Sequence, residues 1–412
     1  MTPSPSRTEP SVTEISLHEY EHSPPVIVSS RTRSALIDAA HSGRIGVLAT
    51  SDPDAVSVRA SSWVGALVLP GLTVRVRPKV GLQNLFALFT VGLPASAWQL
   101  PAVDWAETED PVDGIADLVV RAIEAVTRPG LLYGYLSVEQ RVPAIRGRLL
   151  VEQLARRPWV VVPPPCRFDE FTADVTENRI LRLAVSLILR WPRLHPSVRR
   201  HALRLRQRFD DVADATPGIV AGGLPISTRL NEHYQPALQL ARLVIEGTSF
   251  ADLPGGRSTS SFMVDMNELF ERWVAAELQQ RLWPDVEVVT QLPTTLAERG
   301  RVGIRPDLVF RRGGRTVLVG DTKYKLTGDG KARSGDYFQL LAYTVALEVD
   351  IGLLIYCTAD ESPPHEVVVR HLGHRLRCYA LRLDVPTAEL AAELDRLSQY
   401  VATSTVAADR TG

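Results

Sequence analysis

Two short apolar runs in the C-terminal part of the chain carry Asp307, Asp321 and Lys323, spaced so that two carboxylates and an amine can meet. The first run is Arg305-Pro306-Asp307-Leu308-Val309-Phe310. The second is Val317-Leu318-Val319-Gly320-Asp321-Thr322-Lys323, and Gly313-Gly314 between them signals a hairpin turn. Residues two apart on a strand project from one face, so Asp321 and Lys323 point together. Asp307 and Asp321 offer hard oxygen ligands to Mg²⁺, or to Mn²⁺ in its place. A cation held there polarises a phosphate and acidifies a water, while Lys323 orients that water or offsets transition-state charge. The chemistry that such a set can do is phosphodiester hydrolysis. Asp-x-Lys alone is a weak signal, and a solvated hairpin with incidental charges is the plain alternative.

Register is a check on this idea. A strict two-residue turn sets Asp307 opposite Gly320 and aims it away from Asp321. A three-residue Arg312-Gly313-Gly314 loop, or a bulge near Pro306, restores a common face. Pro306 has no N–H to give to a ladder, so an irregularity is expected. A further acid is expected from the helix before the sheet, whose apolar stripe is Met266, Leu269, Phe270, Trp273 and Val274. At about 100° per residue Glu271 lies at the stripe's edge, Glu277 falls within it and Glu268 points away. Glu271 is preferred as a ligand or base, with a surface salt bridge as its alternative.

Gln339 and Tyr343 share a helix face at i, i+4, although an ordinary amphipathic helix would show the same pair. Arg299, Arg301, Arg305, Arg311, Arg312, Arg315, Lys325, Lys331 and Arg333 crowd the hairpin. That local positive field suits a phosphate substrate, and Gln339, Tyr343, Lys325 and Arg305 are candidate DNA contacts.

The elements that must position these residues follow changes of texture. Residues 1–11 are polar and Pro/Ser-rich and are expected to be a disordered tail. A β-rich domain is expected over 12–160, with strands at 13–18, 44–50, 56–60, 72–77 and 133–142 and helices at 82–91 and 113–128. Pro163-Pro164-Pro165 reads as a linker. A helical region over 166–258 follows, with helices at 179–189, 197–212 and 234–245. Residues 261–400 predict a helix at 262–282, strands at 286–291, 303–311 and 316–323, a helix at 337–348, and strands at 351–356 and 366–369. The order αβββαβ is that of an α/β sandwich on a mixed sheet, so the chain as a whole predicts a multi-domain α+β protein.

Composition narrows the rest. The 412 residues carry a formal net charge of -1, so nucleic-acid contact must come from local patches rather than from the global field. Cys166, Cys357 and Cys378 form no C-x-x-C pair, which speaks against a zinc ribbon or disulfide scaffold and for a reducing cytoplasm. His18, His195, His201 and His233 lack metal-ligand spacing. No apolar run reaches the roughly 18–20 residues of a membrane span, and the N-terminus has no signal-peptide core. A soluble, cytoplasmic protein is expected. Arginines 190, 193, 199, 200, 204, 206 and 208 could form a DNA track or an ordinary solvated helix face.

Several of these motifs together resemble one family. Asp265-Met266-Asn267-Glu268-Leu269-Phe270-Glu271, the Pro-Asp hairpin, Asp321-Thr322-Lys323-Tyr324-Lys325 and Gln339-Leu340-Leu341-Ala342-Tyr343 resemble the McrC family. McrC is the nuclease subunit of the McrBC modification-dependent restriction system. Trp63-Val64-Gly65 with Arg77-Pro78-Lys79-Val80 resembles the family's N-terminal domain. Phe168-Asp169-Glu170-Phe171, Glu177-Asn178-Arg179-Ile180-Leu181 and Tyr234 through Leu243 resemble its central region.

The resemblance implies a restriction-endonuclease-like domain of the PD-(D/E)xK type that cuts double-stranded DNA. It also implies a partner, an AAA+ GTPase hexamer like McrB, whose GTP hydrolysis the chain stimulates and whose pore its N-terminal region enters. No G-x-x-x-x-G-K-[ST] loop occurs in this sequence, in keeping with a nucleotide site on the partner. Two other readings stand beside it: a non-catalytic adaptor and activator of a GTPase ring, and a stand-alone DNA repair nuclease of the same fold.

Overall fold

The structure, a computed structural model, describes residues 13–79, 88–89, 110–156, 159, 162–191, 193–252, 258–297, 302–324, 334–358 and 363–409. The chain divides into two compact units, Met1–Gly114 with Leu253–Arg257 and Ser261–Gly412, and Ile115–Asp252 with Ser258–Ser260. The limits 12–160, 166–258 and 261–400 followed composition; contacts group the chain otherwise, because early strands pair with late ones. The expected tail, and the expected helix at 82–91 apart from 88–89, lie outside the described residues.

In the first unit Thr13–His18 runs parallel to Leu72–Arg77, which is antiparallel to Trp63–Leu69. Alternation in Leu72-Thr73-Val74-Arg75-Val76-Arg77 buries Val74 and Val76 against Ile15, Leu17 and Leu67. Leu36 of the helix Ser30–His41 joins that core, as do Val56 and Val58 of Ala55–Ala60. Each fully buried Leu or Val stabilises the fold by roughly 1.5–3 kcal/mol over leaving it exposed.

The next strand, Ser258–Asp265, corrects the expected helix start at 262. Phe262, Met263 and Val264 pair with Ala66, Gly65 and Val64, and helix begins only at Met266. Close crossing explains Gly65, whose φ is +137 and where a Cβ would meet the Phe262 carbonyl oxygen at 2.2 Å. Asp265 then caps the helix Met266–Leu282, accepting from Asn267 N at 2.9 Å and from Ser62 Oγ at 3.1 Å. The helix that carries Glu271 is thereby tied to the N-terminal sheet.

The same unit holds a six-stranded mixed sheet in the order Glu287–Thr290, Leu308–Arg312, Arg315–Lys323, Ile351–Thr358, Arg375–Arg382, His365–Val368. Arg315–Lys323, Ile351–Thr358 and Arg375–Arg382 are mutually parallel, and the remaining pairings are antiparallel. Val309, Val319, Leu354 and Leu376 face Leu340 and Tyr343 of the helix Ser334–Ala346. Since Val319 faces that helix, period two puts Asp321 and Lys323 on the same face. The helices Met266–Leu282 and Thr387–Asp409 pack against each other and against Arg315–Lys323. The strand Arg375–Arg382 and the last helix were not anticipated from the sequence.

The second unit pairs Gly134–Arg141 with Pro165–Thr172 along their length. The triple proline therefore opens a strand inside this unit instead of linking two domains; proline is tolerated at the first residue of a strand. Helices Thr176–Ile188 and Gln235–Gly247 pack together, with Ile180, Leu181, Leu240 and Val244 buried. Buried Asn178 gives its amide to Leu132 O at 2.8 Å and Ala173 O at 2.7 Å, and Tyr234 Oη accepts from Leu132 N at 2.9 Å.

Candidate active site

The hairpin decides whether Asp307 can meet Asp321. Arg312 pairs with Arg315 around Gly313 and Gly314, whose φ values are +56 and +80 and suit a two-residue type I′ turn. Beyond it the register shifts: Arg311 faces Thr316 but Phe310 faces Leu318, leaving Val317 as one extra residue. From there Leu308 faces Gly320, so Asp307 continues onto the row of Asp321. The expected irregularity is present, but neither at Pro306 nor as a three-residue loop.

Asp321 is fully buried and neither of its oxygens has a hydrogen bond. Lys323 Nζ lies 2.5 Å from Asp321 Oδ2 in an ion pair. Burial, reinforced by the charge of Asp307, pushes the Asp321 carboxyl up to about 7 against the pull of Lys323. Burial works to lower the lysine, but Asp321, Asp307 and Asp336 together hold its pKa above the ordinary value.

Glu271 is raised too, by burial first and then by Asp307. It and Asp307 share a donor: Gln291 Nε2 donates to Glu271 Oε1 and, at 3.2 Å, to Asp307 Oδ1. The other oxygen of Asp307 accepts from Thr322 N at 2.9 Å and Thr322 Oγ1 at 3.1 Å. Of the acids weighed on the helix, Glu271 reaches this cluster, whereas Glu277 is paired with Arg281. Among the described residues no three His, Cys, Asp or Glu side chains form a ready metal cage. Gln291 and Thr322 already engage the carboxylates from which a ligand set would be built.

Gln291 was not singled out from the sequence. It follows the strand Glu287–Thr290, whose Thr290 faces Leu308, so the next step of the ladder brings it to Asp307. Its φ of +51 is unusual for a non-glycine residue, and its N donates to Asp307 O at 3.1 Å. A glutamine closing an apolar strand was the available signal, but it has meaning only once that strand's partner is known.

Around the cluster, Gln339 Nε2 donates to Tyr343 Oη at 2.6 Å, and Tyr343 donates to Arg305 O at 3.3 Å. Buried Tyr343 thus steadies the backbone leading to Asp307, while Gln339 is exposed. The Arg305 guanidinium is held by Gln291 O at 3.1 Å. Buried Asp336, also missed, accepts from Tyr356 Oη at 2.9 Å. Lys325, Arg299, Arg301, Lys331 and Arg333 lie outside the described residues. In the second unit several of the clustered arginines are internally engaged: Arg199 with Leu189 O and Trp191 O, Arg206 with Ser186 Oγ, Arg208 with Glu124.

Fold and site together define a multi-domain α+β protein with a buried acid–amine cluster at the ends of central strands. The family described as McrBC 5-methylcytosine restriction system component matches residues 58–357. The chain belongs to that family. Among solved structures it is similar to a chain in the refined half-complex from a tetradecameric assembly of Thermococcus gammatolerans McrB AAA+ hexamers with bound McrC. The TM-score is 0.60 at 16% identity, covering 94% of this chain and 100% of the other. A chain in the cryo-EM structure of the Thermococcus gammatolerans McrBC complex aligns at TM-score 0.43 and 18% identity, covering 66% and 88%. No curated protein matches at a significant level. Among the described residues no helix is long and apolar enough to cross a membrane.

Proposed function

We propose that this chain is the Mg²⁺-dependent DNA endonuclease subunit of a McrBC-type restriction system, with residues 261–400 acting as a PD-(D/E)xK nuclease domain. The observation that carries this reading is Asp321, a fully buried carboxylate without a hydrogen bond, flanked by Lys323, Asp307 and Glu271. Beside its Lys323 ion pair, a buried carboxylate short of hydrogen bonds still costs about 1–3 kcal/mol, and it is a group that a bound ligand can satisfy. The donor set fits a hard divalent cation, with Asp307 and Asp321 as its ligands and Glu271 as an added ligand or base.

The cation would supply Lewis-acid stabilisation of phosphate charge and a more acidic water. Lys323 would hold that water in line with the scissile phosphorus and donate to the developing charge. Gln291 would keep Glu271 and Asp307 at a fixed separation. Tyr343 would fix the approach to Asp307, with Gln339, Arg305 and Lys325 beside the DNA backbone.

The partner in this reading is a McrB-like AAA+ GTPase hexamer, supported by the family and by full-length likeness to a chain of a McrB–McrC assembly. The region 12–160 would dock on the ring. The test is cleavage of 5-methylcytosine-containing duplex by the chain with its AAA+ partner, GTP and Mg²⁺. Cutting that needs Mg²⁺ and disappears on chelation is expected. Cutting that persists in a chelator overturns the reading.

A second role, implied by the resemblance to the McrC family, is activation of the ring. Lys323→Ala would then abolish cleavage while GTP hydrolysis by the partner stays stimulated; loss of both together would tie the two roles to one site.

A further inference from the structure

One buried acid far from the cluster in sequence lies close to its carriers in space. Glu19 follows the strand Thr13–His18 and is 1% exposed. Its Oε2 accepts from Lys79 N at 2.8 Å and from Tyr324 Oη at 3.1 Å, while Oε1 is buried with no hydrogen bond. Tyr324 is the residue after Lys323, and its ring lies 5.9 Å from that of Phe270, the residue before Glu271. One carboxylate of the N-terminal sheet is therefore bonded to a side chain that touches the carriers of two cluster members.

Burying a carboxylate with an unpaired oxygen is unfavourable for stability, but an apolar side chain in its place would leave the Lys79 N–H without its acceptor. The fold needs an acceptor for Lys79 N here, and Tyr324 Oη is the second donor that this acceptor meets. The Lys323 ammonium needs placement well inside 1 Å, because a misplacement of that size can cost about 10²-fold in rate.

We infer that Glu19 is a positioning residue for the nuclease centre: through the Tyr324 hydroxyl it fixes the end of the strand Arg315–Lys323 and so the reach of Lys323 toward Asp321. This inference rests on the nuclease reading. It adds that the N-terminal sheet completes the catalytic geometry, so that the 261–400 segment without it is impaired in chemistry and not in DNA binding.

The experiment uses the full chain with its AAA+ partner and compares Tyr324→Phe, Glu19→Gln, Glu19→Ala and the Glu19→Ala/Tyr324→Phe pair with Asp321→Ala as control. Tyr324→Phe removes one hydroxyl and keeps the ring on Phe270, so it folds even where Glu19→Ala does not. Its kcat for cleavage falls by about tenfold or more at unchanged KM for DNA, with partner GTP hydrolysis unaltered. Glu19→Gln, which retains an acceptor, recovers most of the rate. The double variant is no slower than the slower single one, as expected of two residues acting along one line. Unchanged kcat in Tyr324→Phe, or losses that simply multiply, overturn the inference while leaving the nuclease reading intact. Persistent cutting by Asp321→Ala overturns the nuclease reading itself.

Discussion

Two carboxylates in this molecule are treated in opposite ways. In the second unit Asp174 receives Arg179 Nε at 2.7 Å, Arg179 Nη2 at 2.6 Å and Ala213 N at 2.7 Å. The Arg179 hydrogen bonds, joined by that of Ala213 and outweighing partial burial, hold its acid below the ordinary aspartate range. In the first unit Asp321 is buried more deeply, receives no hydrogen bond, and is pushed up to about 7. Asp174 is fitted to hold the fold together. Asp321 has only Lys323 as its charged partner and a raised acid, the kind of perturbed group that working sites keep.

The sharpest way to break that contrast is to remove each acid in turn. Asp321→Ala is expected to reduce cleavage by on the order of 10³-fold or more, the scale on which deleted transition-state stabilisation is felt. Its melting temperature should change little, because Lys323 keeps Asp307 and Asp336 nearby when its Asp321 partner goes; thermal unfolding beside the cleavage assay checks both. Lys323→Met should follow, with a loss of about 10²-fold in kcat and little change in KM, read from single-turnover cleavage.

Asp174→Ala should do the reverse. It lowers stability by about 2 kcal/mol in denaturant titration, and activity per folded molecule stays as it was. The Asp174 contribution also has a defined pH window. A depressed acid stabilises the fold above the unfolded value of 3.8, and the contribution fades as pH falls through the lower folded value. The stability gap between the parent chain and Asp174→Asn should therefore close below about pH 4 and stay constant above it. Smallest is Gln291→Ala, which frees Glu271 and Asp307 from their shared donor. A fall in kcat of about tenfold is expected, and a fall no larger than that of a surface control would remove Gln291 from the site.

The local part of this arrangement is legible in the sequence. Asp321 and Lys323 share a face by strand period alone, and Gly313-Gly314 announces its own turn. Glu271 follows from the apolar stripe of its helix. What is not legible depends on pairing across distance. The bulge at Val317 exists only relative to the partner strand, so the sequence could require an irregularity without placing it. Gln291 joins the cluster through the neighbour of its strand. Ser258–Asp265 lacks a periodic signature and becomes a strand because Trp63–Leu69 lies beside it. The triple proline shows the converse: a strong local signal that the antiparallel pairing of Gly134–Arg141 with Pro165–Thr172 absorbs.

The central claim is that Asp321 is left unsatisfied for a divalent cation. Mn²⁺ binding to the full chain, followed by electron paramagnetic resonance in the absence of DNA, tests it most directly. The account predicts saturable binding that Asp321→Ala abolishes and that Asp174→Ala leaves unchanged. Equal binding by the parent chain and Asp321→Ala, or none by either, would contradict it.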